Sequence, residues 1–309
     1  MAFRYANQDP RHKPHGFRDV FRWSVLDRLT GRRRVAPPGP PAPWVPKDLT
    51  AIHGADGAPR VTWIGHASFL ATLGSASFVV DPVFSKTIAR VVPRHGQPGL
   101  AASDLPALRA LLVTHNHYDH LDEPSVRALP RSVPVFTAAG LGAWFRRRGF
   151  QNVAEMSWWD GAVAGPLAIT FVPARHWSRR GLADTNRSAW GGFVVEGGGT
   201  TLYHAGDTGW FDGFREIRER FPSIDVALLP IGAYAPAWFM EPHHMNPEQA
   251  IDALSVLGAR AMVPMHWGAF QLTDEPLSEP IERLRRAWAE RPPSARLQVL
   301  AVGETSRIG

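Results

Sequence analysis

A chain of 309 residues with 44% hydrophobic content can bury one large core, and it shows no internal repeat. Its net charge of +6 comes largely from arginine, in clusters such as Arg32-Arg33-Arg34 and Arg146-Arg147-Arg148; these read as solvated faces, although an anionic substrate or membrane surface would be drawn to them. Cysteine is absent, which excludes disulfides and thiolate-bound metal, and no apolar run approaches the ~18–20 residues of a membrane span. In chain order, residues 1–60 read as an N-terminal arm. Its start lacks the apolar stretch of a secretory signal, so a cytoplasmic protein is expected. Phe17, Phe21, Val25 and Leu29 put one stripe on a short helix that Gly31 ends, with arginines on its flanks. That stripe is expected to bury against its own domain, with peripheral contact to the inner face of a membrane, or to a partner, as the alternative. Pro37-Pro38-Gly39-Pro40-Pro41-Ala42-Pro43 must then run extended over the surface, because proline fixes φ and lacks a donor.

Residues 61–309 form the main domain, where strands and helices alternate. Val61–Ile64, Ser68–Leu73 and Ser77–Val80 read as an antiparallel meander with Gly74-Ser75 at a turn, followed by strands Leu111–Thr114 and Val133–Phe136 and a helix over Leu141–Arg148. Ala168–Val172, Gly192–Glu196 and Thr200–His204 open the second half, with Gly197-Gly198-Gly199 as a hairpin turn. Helices Phe211–Arg220, Pro247–Leu257 and Ile281–Glu290 then alternate with strands Val226–Pro230, Ala261–Met265 and Leu297–Val302.

The chemistry concentrates in His115-Asn116-His117-Tyr118-Asp119-His120, directly after a buried-strand run. In an extended segment residues two apart point the same way, so His115 and His117 can share one metal, while a turn through Tyr118 swings Asp119 and His120 to a second position. Four neighbouring side chains cannot close two coordination shells, and further donors should also follow strands, whose carboxyl ends converge on one crevice. His176, Asp207 and His266 each do. We assign His115, His117 and His176 to one ion and Asp119, His120 and His266 to the other, with Asp207 bridging. A pair of cations about 3.5–4 Å apart would lower the pKa of a bridging water to about 7 and supply a hydroxide nucleophile, so the chemistry expected is hydrolysis. Nitrogen and oxygen donors suit zinc, with iron and manganese as alternatives.

With these residues the chain resembles a metallo-β-lactamase-fold hydrolase, whose His-x-His-x-Asp-His motif is matched by His115, His117, Asp119 and His120. Within that superfamily it is similar to the N-acylphosphatidylethanolamine-hydrolysing phospholipase D family. The matching blocks run from Val61-Thr62-Trp63-Ile64-Gly65-His66-Ala67 and Asp81-Pro82-Val83-Phe84-Ser85 through Gly206-Asp207-Thr208-Gly209 to His266-Trp267-Gly268. The resemblance implies an α/β fold, a four-layer αββα sandwich with two mixed β-sheets, and a catalytic domain over 61–309. It implies a dinuclear phosphodiesterase that acts on a glycerophospholipid through a metal-bridging hydroxide, and a homodimer. It also places His244 near the substrate phosphate, where that residue would orient or protonate the leaving side.

Around the donors, Asp81 is either the acceptor that fixes a metal-bound imidazole or simply a turn-forming Asp-Pro. His66 is expected beneath the site rather than as a ligand, and His204 as packed. The loop from Tyr234 through Trp238, Phe239 and Met240 to His243 and His244 is the expected wall of a substrate pocket, able to hold an acyl chain. Arg179 and Arg180 read equally as phosphate binders or surface charges. A lactonase or another ester hydrolase is the competing enzyme reading. A nuclease is disfavoured, because the stretch between Asp207 and His266 is too short for a nucleic-acid clamp domain, so no nucleic-acid partner is expected. A basic non-enzymatic membrane or nucleic-acid binder would leave the donor set without purpose.

Overall fold

The computed structural model describes residues 5–9, 11–54, 56–181 and 183–308, with the Phe17 side chain outside that description. The first half of the chain gives β1 (Arg60–Gly65), β2 (Ser68–Leu73), β3 (Ala76–Val80), the short strands β4 (Thr87–Ile88) and β5 (Val92–Pro93), β6 (Leu108–Val113), β7 (Val135–Ala138) and β8 (Val153–Met156). The second gives β9 (Gly161–Ala164), β10 (Leu167–Val172), β11 (Gly192–Gly197), β12 (Thr200–His204), β13 (Val226–Pro230), β14 (Ala261–Met265), β15 (Arg296–Leu297) and β16 (Thr305–Arg307). Two seven-stranded sheets result, ordered β16-β1-β2-β3-β6-β7-β8 and β15-β14-β13-β12-β11-β10-β9, with β4–β5 apart as a hairpin.

Both sheets are mixed and follow one plan. Antiparallel pairing runs to β3 in the first and to β12 in the second, and the remaining strands pair in parallel. Parallel strands are apolar without alternation because both faces are covered: β13 and β14 are buried at every position. The main apolar core takes Phe69 and Phe78 from one sheet and Phe171 and Phe193 from the other. Helix Pro247–Leu257 packs on β13 and touches both Gly213–Arg220 and Glu279–Glu290. Asn246 caps its start, reciprocally with Gln249, and Gly258 ends it at φ 61°.

The arm is anchored at intervals. The prolines between residues 37 and 43 are exposed, but Ala42 is buried and donates to the Gly268 carbonyl (2.9 Å), and Val45 donates to Val302 (2.9 Å). Residues 17–29 are helical, yet the expected burial of their apolar stripe is not what forms. Val25 is 37% exposed and Leu29 80%. The cause lies in Arg22–Leu26, a π-helical turn whose bond closes five residues apart and rotates an i, i+4 row out of line. The helix docks through Trp23 instead, stacked on Phe239 at 4.7 Å, with the Arg33 guanidinium 4.0 Å from the Trp23 ring. No described helix is long and apolar enough to cross a membrane.

Candidate metal centre

Every donor stands just past a strand. The end of β6 carries His115, His117, Asp119 and His120; β10 leads to His176, β12 to Asp207 and β14 to His266. Gly206 makes the approach of Asp207 possible: it has φ 63°, and a Cβ there would lie 2.5 Å from the Gly191 carbonyl oxygen. All seven donors are buried except His117, which is half-buried.

They gather into two groups. His115, His117, His176 and Asp207 form one group and His66, Asp119, His120 and His266 another, the donor atoms of each lying within 4.8 Å of one another. Asp207 reaches both. Its Oδ2 is 3.8 Å from His176 Nε2, 3.9 Å from His115 Nε2 and 3.2 Å from His120 Nε2, while Oδ1 is 3.1 Å from His266 Nε2. A third, overlapping group joins His244 to Asp207 and His266.

Do these residues fit metal? His120 Nε2, His266 Nε2 and Asp207 Oδ1 are buried and, although Asp207 lies 3.1–3.2 Å from the two imidazoles, none has the alignment of a hydrogen bond, a state that a cation among them would relieve. The atoms these groups offer are imidazole nitrogen and carboxylate oxygen, the donors that borderline divalent ions accept. Protonation states agree for five of the seven donors, while His120 and His266 are drawn by the carboxylates to hold a proton where a cation would sit. Burial drives His115 and His176 far below the ordinary imidazole range and His117 to about 4, so their lone pairs are free. Burial opposes ionisation of Asp119 and Asp207, yet neighbouring histidines, His120 first, hold both well below the usual carboxylate range. Against the same burial, Asp207 raises His120 strongly and His266 to about 9.

Surrounding groups aim the donors. Asp81 takes the role of acceptor: its Oδ2 lies 2.7 Å from His120 Nδ1, and its Oδ1 accepts from the Thr114 N–H at 2.8 Å. His176 Nδ1 meets the His243 carbonyl at 3.0 Å. His66 lies closer than expected, with Nε2 2.9 Å from Asp119 Oδ2 inside the second group. His204 is packed, its Nε2 facing the Ala67 carbonyl (2.9 Å) and its Nδ1 accepting from Gly206 (3.1 Å). Three site residues hold left-handed backbone that side chains rarely adopt: His66 (φ 57°), Asp81 (φ 43°) and His266 (φ 63°).

A cavity of about 460 Å³ opens onto His117, Asp119 and Asp207. Phe239, Met240, His243 and His244 line it as expected, but Tyr234 and Trp238 do not. The Tyr234 hydroxyl donates to Glu279 (2.7 Å), and Trp238, one helical step from Phe239, turns outward beneath the Arg22 guanidinium at 4.4 Å. Arg179 borders the cavity, whereas Arg180 donates to the Asn116 and Leu121 carbonyls and braces the histidine loop. Sequence reasoning missed the arm's share: His15, Val20 and Trp23 line the cavity, and buried Asn7 clamps the His176 peptide. Asn7 Nδ2 donates to His176 O (2.9 Å) and Asn7 Oδ1 accepts from His176 N (3.1 Å). Trp23, an aromatic lying off the stripe, was the available signal; a lone Asn in a polar stretch offers none.

Two mixed sheets with histidine and aspartate at their strand ends define a metal-dependent hydrolase of the metallo-β-lactamase fold. The chain belongs to the beta-lactamase superfamily, whose family profile, described as "Beta-lactamase superfamily domain", matches residues 77–267. It is 36% identical over 242 residues to N-acyl-phosphatidylethanolamine-hydrolyzing phospholipase D 1 of Caenorhabditis elegans, covering 72% of this chain and 68% of that one. A UPF0173 metal-dependent hydrolase of Anaeromyxobacter sp. (strain K) is 34% identical over 228 residues, 70% of this chain and 77% of its own length. Among solved structures, the isothiocyanate hydrolase from Delia radicum gut bacteria superposes with a TM-score of 0.65 at 24% identity, covering 81% of this chain and 99% of that one, a likeness of fold alone.

Proposed function

We propose that the protein is a dinuclear phosphodiesterase of the phospholipase D type, acting on N-acylphosphatidylethanolamine-like glycerophospholipids. One observation carries this reading: a two-part donor cluster sharing Asp207 lies at the floor of a cavity walled by Val20, Trp23, Ile88, Val92, Phe239 and Met240. A polar reaction centre under an apolar wall suits a molecule with a charged headgroup and acyl chains. The relative named for hydrolysing such lipids supports the same substrate class.

His115, His117 and His176 would hold one cation and Asp119, His120 and His266 the other, with Asp207 facing both. Two divalent ions there, zinc being well suited, would polarise the phosphoryl oxygens and make water a nucleophile near neutral pH. The chain's own groups orient the reaction. His243 and His244, held neutral by burial, border the cavity and can donate N–H bonds to a phosphoryl or leaving oxygen. Arg179 borders the cavity and offers a guanidinium to an entering phosphate. In balance, water oxygen bonds to phosphorus, the bond from phosphorus to the ethanolamine oxygen breaks, and that oxygen takes a proton. Phosphatidic acid and the N-acylethanolamine leave.

The test is turnover in H₂¹⁸O by zinc-, iron- or manganese-loaded protein, with Asp119→Ala as blank. Label in phosphatidic acid is the expected result. Cleavage of lactones or carboxylic esters with no phosphodiester turnover would overturn the proposal.

A further inference from the structure

One buried side chain beside the metal centre carries costs that packing does not explain. His66 is 1% exposed and stands in the turn between β1 and β2, where Gly65 pairs with Ser68 and the register of the two strands shifts between Trp63 and Gly65. Its backbone is left-handed at φ 57°, a conformation that glycine or asparagine adopts more readily than histidine. Its Nδ1 is buried with no hydrogen-bond partner. An apolar side chain would avoid the orphaned nitrogen and a glycine the backbone strain, so the use of this residue lies in its other nitrogen.

That nitrogen meets a metal donor. His66 Nε2 is 2.9 Å from Asp119 Oδ2, closer than His266 Nε2 at 3.4 Å or His120 Nε2 at 3.7 Å. An ionised carboxylate only accepts, so His66 Nε2 carries the proton and donates it, and it keeps no lone pair to offer an ion. All three imidazoles thus face Oδ2. Oδ1 takes no hydrogen bond among the described residues, and Asp119 borders the cavity. Both sheets aim the His66 ring. Its carbonyl accepts from Trp63 Nε1 (2.9 Å) and from the His266 N–H (3.2 Å), and the next carbonyl, that of Ala67, faces His204 Nε2 at 2.9 Å. Two of these three donors stand at strand ends of the opposite sheet, so the turn cannot shift without moving His266. An irregularity in strand pairing next to a site is a recurrent means of re-aiming one side chain.

We propose that His66 is a positioning residue for the second ion: its Nε2–H fixes Asp119 Oδ2 toward His120 and His266 and leaves Oδ1 beside the cavity. The inference rests on the two-ion reading above and not on the substrate. Zinc affinity, measured by competition with a chromophoric chelator, tests it on the parent, His66→Leu and His66→Gln. Leucine has no donor, whereas a glutamine amide brings an N–H to the neighbourhood of the imidazole Nε2. Both variants carry the same left-handed backbone, so the difference between them reads the hydrogen bond. In His66→Leu one class of zinc should weaken about 10–100-fold while the other keeps its affinity. His66→Gln should stay within about fivefold of the parent, since one neutral donor replaces another. With cobalt in place of zinc, the visible absorption of one ion should change in His66→Leu and return in His66→Gln. Equal weakening by the two variants overturns the proposal, because the ring itself is then what the centre needs. So does unaltered affinity in His66→Leu, or an equal loss from both classes of zinc. A parent that binds a single zinc per chain brings down the two-ion reading instead, and a gap between the two variants on that ion would still uphold the role of His66.

Discussion

Replacing Asn7 by Ala should damage a metal site from outside it. Asn7 is 7% exposed, and its side chain makes a two-way bond with the His176 peptide, donating at 2.9 Å and accepting at 3.1 Å, besides donating to the His12 carbonyl at 2.9 Å. Trp190 Nε1, which also bonds Asn7 at 3.2 Å, keeps the Ala174 carbonyl at 3.0 Å and is not orphaned. The variant therefore strands the N–H and C=O of His176, and at about 1–3 kcal/mol for each buried group the loss is about 2–6 kcal/mol. Part of it should appear as weaker metal binding, because the released peptide carries the ring whose Nε2 lies 3.2 Å from His117 Nδ1. Urea unfolding gives the stability and a chromophoric chelator competition gives the zinc affinity. We expect one class of zinc to weaken at least tenfold and the other to persist. A stability change below about 0.5 kcal/mol with unaltered zinc affinity would refute the reasoning, since additive surface effects stay within that range.

Because the Asp207 oxygens face both His115 and His176 on one side and His120 and His266 on the other, Asp207→Ala should remove more bound metal per chain than His176→Ala or His266→Ala, each assigned to a single ion; elemental analysis after gel filtration decides. Asp81→Asn leaves the His120 ring in place but takes away its carboxylate acceptor at 2.7 Å, and metal affinity or turnover should fall about 10–100-fold.

Strands were legible where the chain is continuously apolar between turn residues: β13 and β14 form over the residues expected, and so does the helix from Pro247, marked by an Asn cap and a proline at its first position. Leu297–Val302 looks alike in composition but pairs as strand only over Arg296–Leu297, because Val302 bridges Trp44 of the arm instead. β8 and β9 were not anticipated. Neither has a sustained apolar run, and β9 is a sheet edge with Gly161 and Val163 exposed. The donors could be read because three histidines and an aspartate fall within six residues after a buried strand, which gives the lone His176, Asp207 and His266 at other strand ends a partner set. The cavity wall could not, since it depends on where an arm with a π-helical turn comes to rest.

Glu275 shows what such a wall demands. Its buried carboxylate accepts from three successive backbone N–H groups, Ala233 (2.6 Å), Tyr234 (3.1 Å) and Ala235 (3.1 Å), and from the Thr273 hydroxyl (2.7 Å). Ala233 borders the cavity in left-handed backbone at φ 65°, a conformation that these bonds hold in place. Burial raises the Glu275 pKa from its ordinary 4.5, and the four donors only partly offset it. A folded-state pKa above the unfolded one means that the native protein binds the extra proton. This group therefore lowers stability as pH rises from about 4.5 through its folded value. Glu275→Gln keeps the oxygen that serves Ala233 and Tyr234 but turns an N–H toward Ala235, at a cost of about 1–3 kcal/mol. Its urea stability should accordingly be lower at neutral pH, while declining less than that of the parent between pH 4.5 and 7. Equal slopes for the two proteins would mean that Glu275 titrates as an ordinary carboxyl and that the loop beside His266 is held by something else.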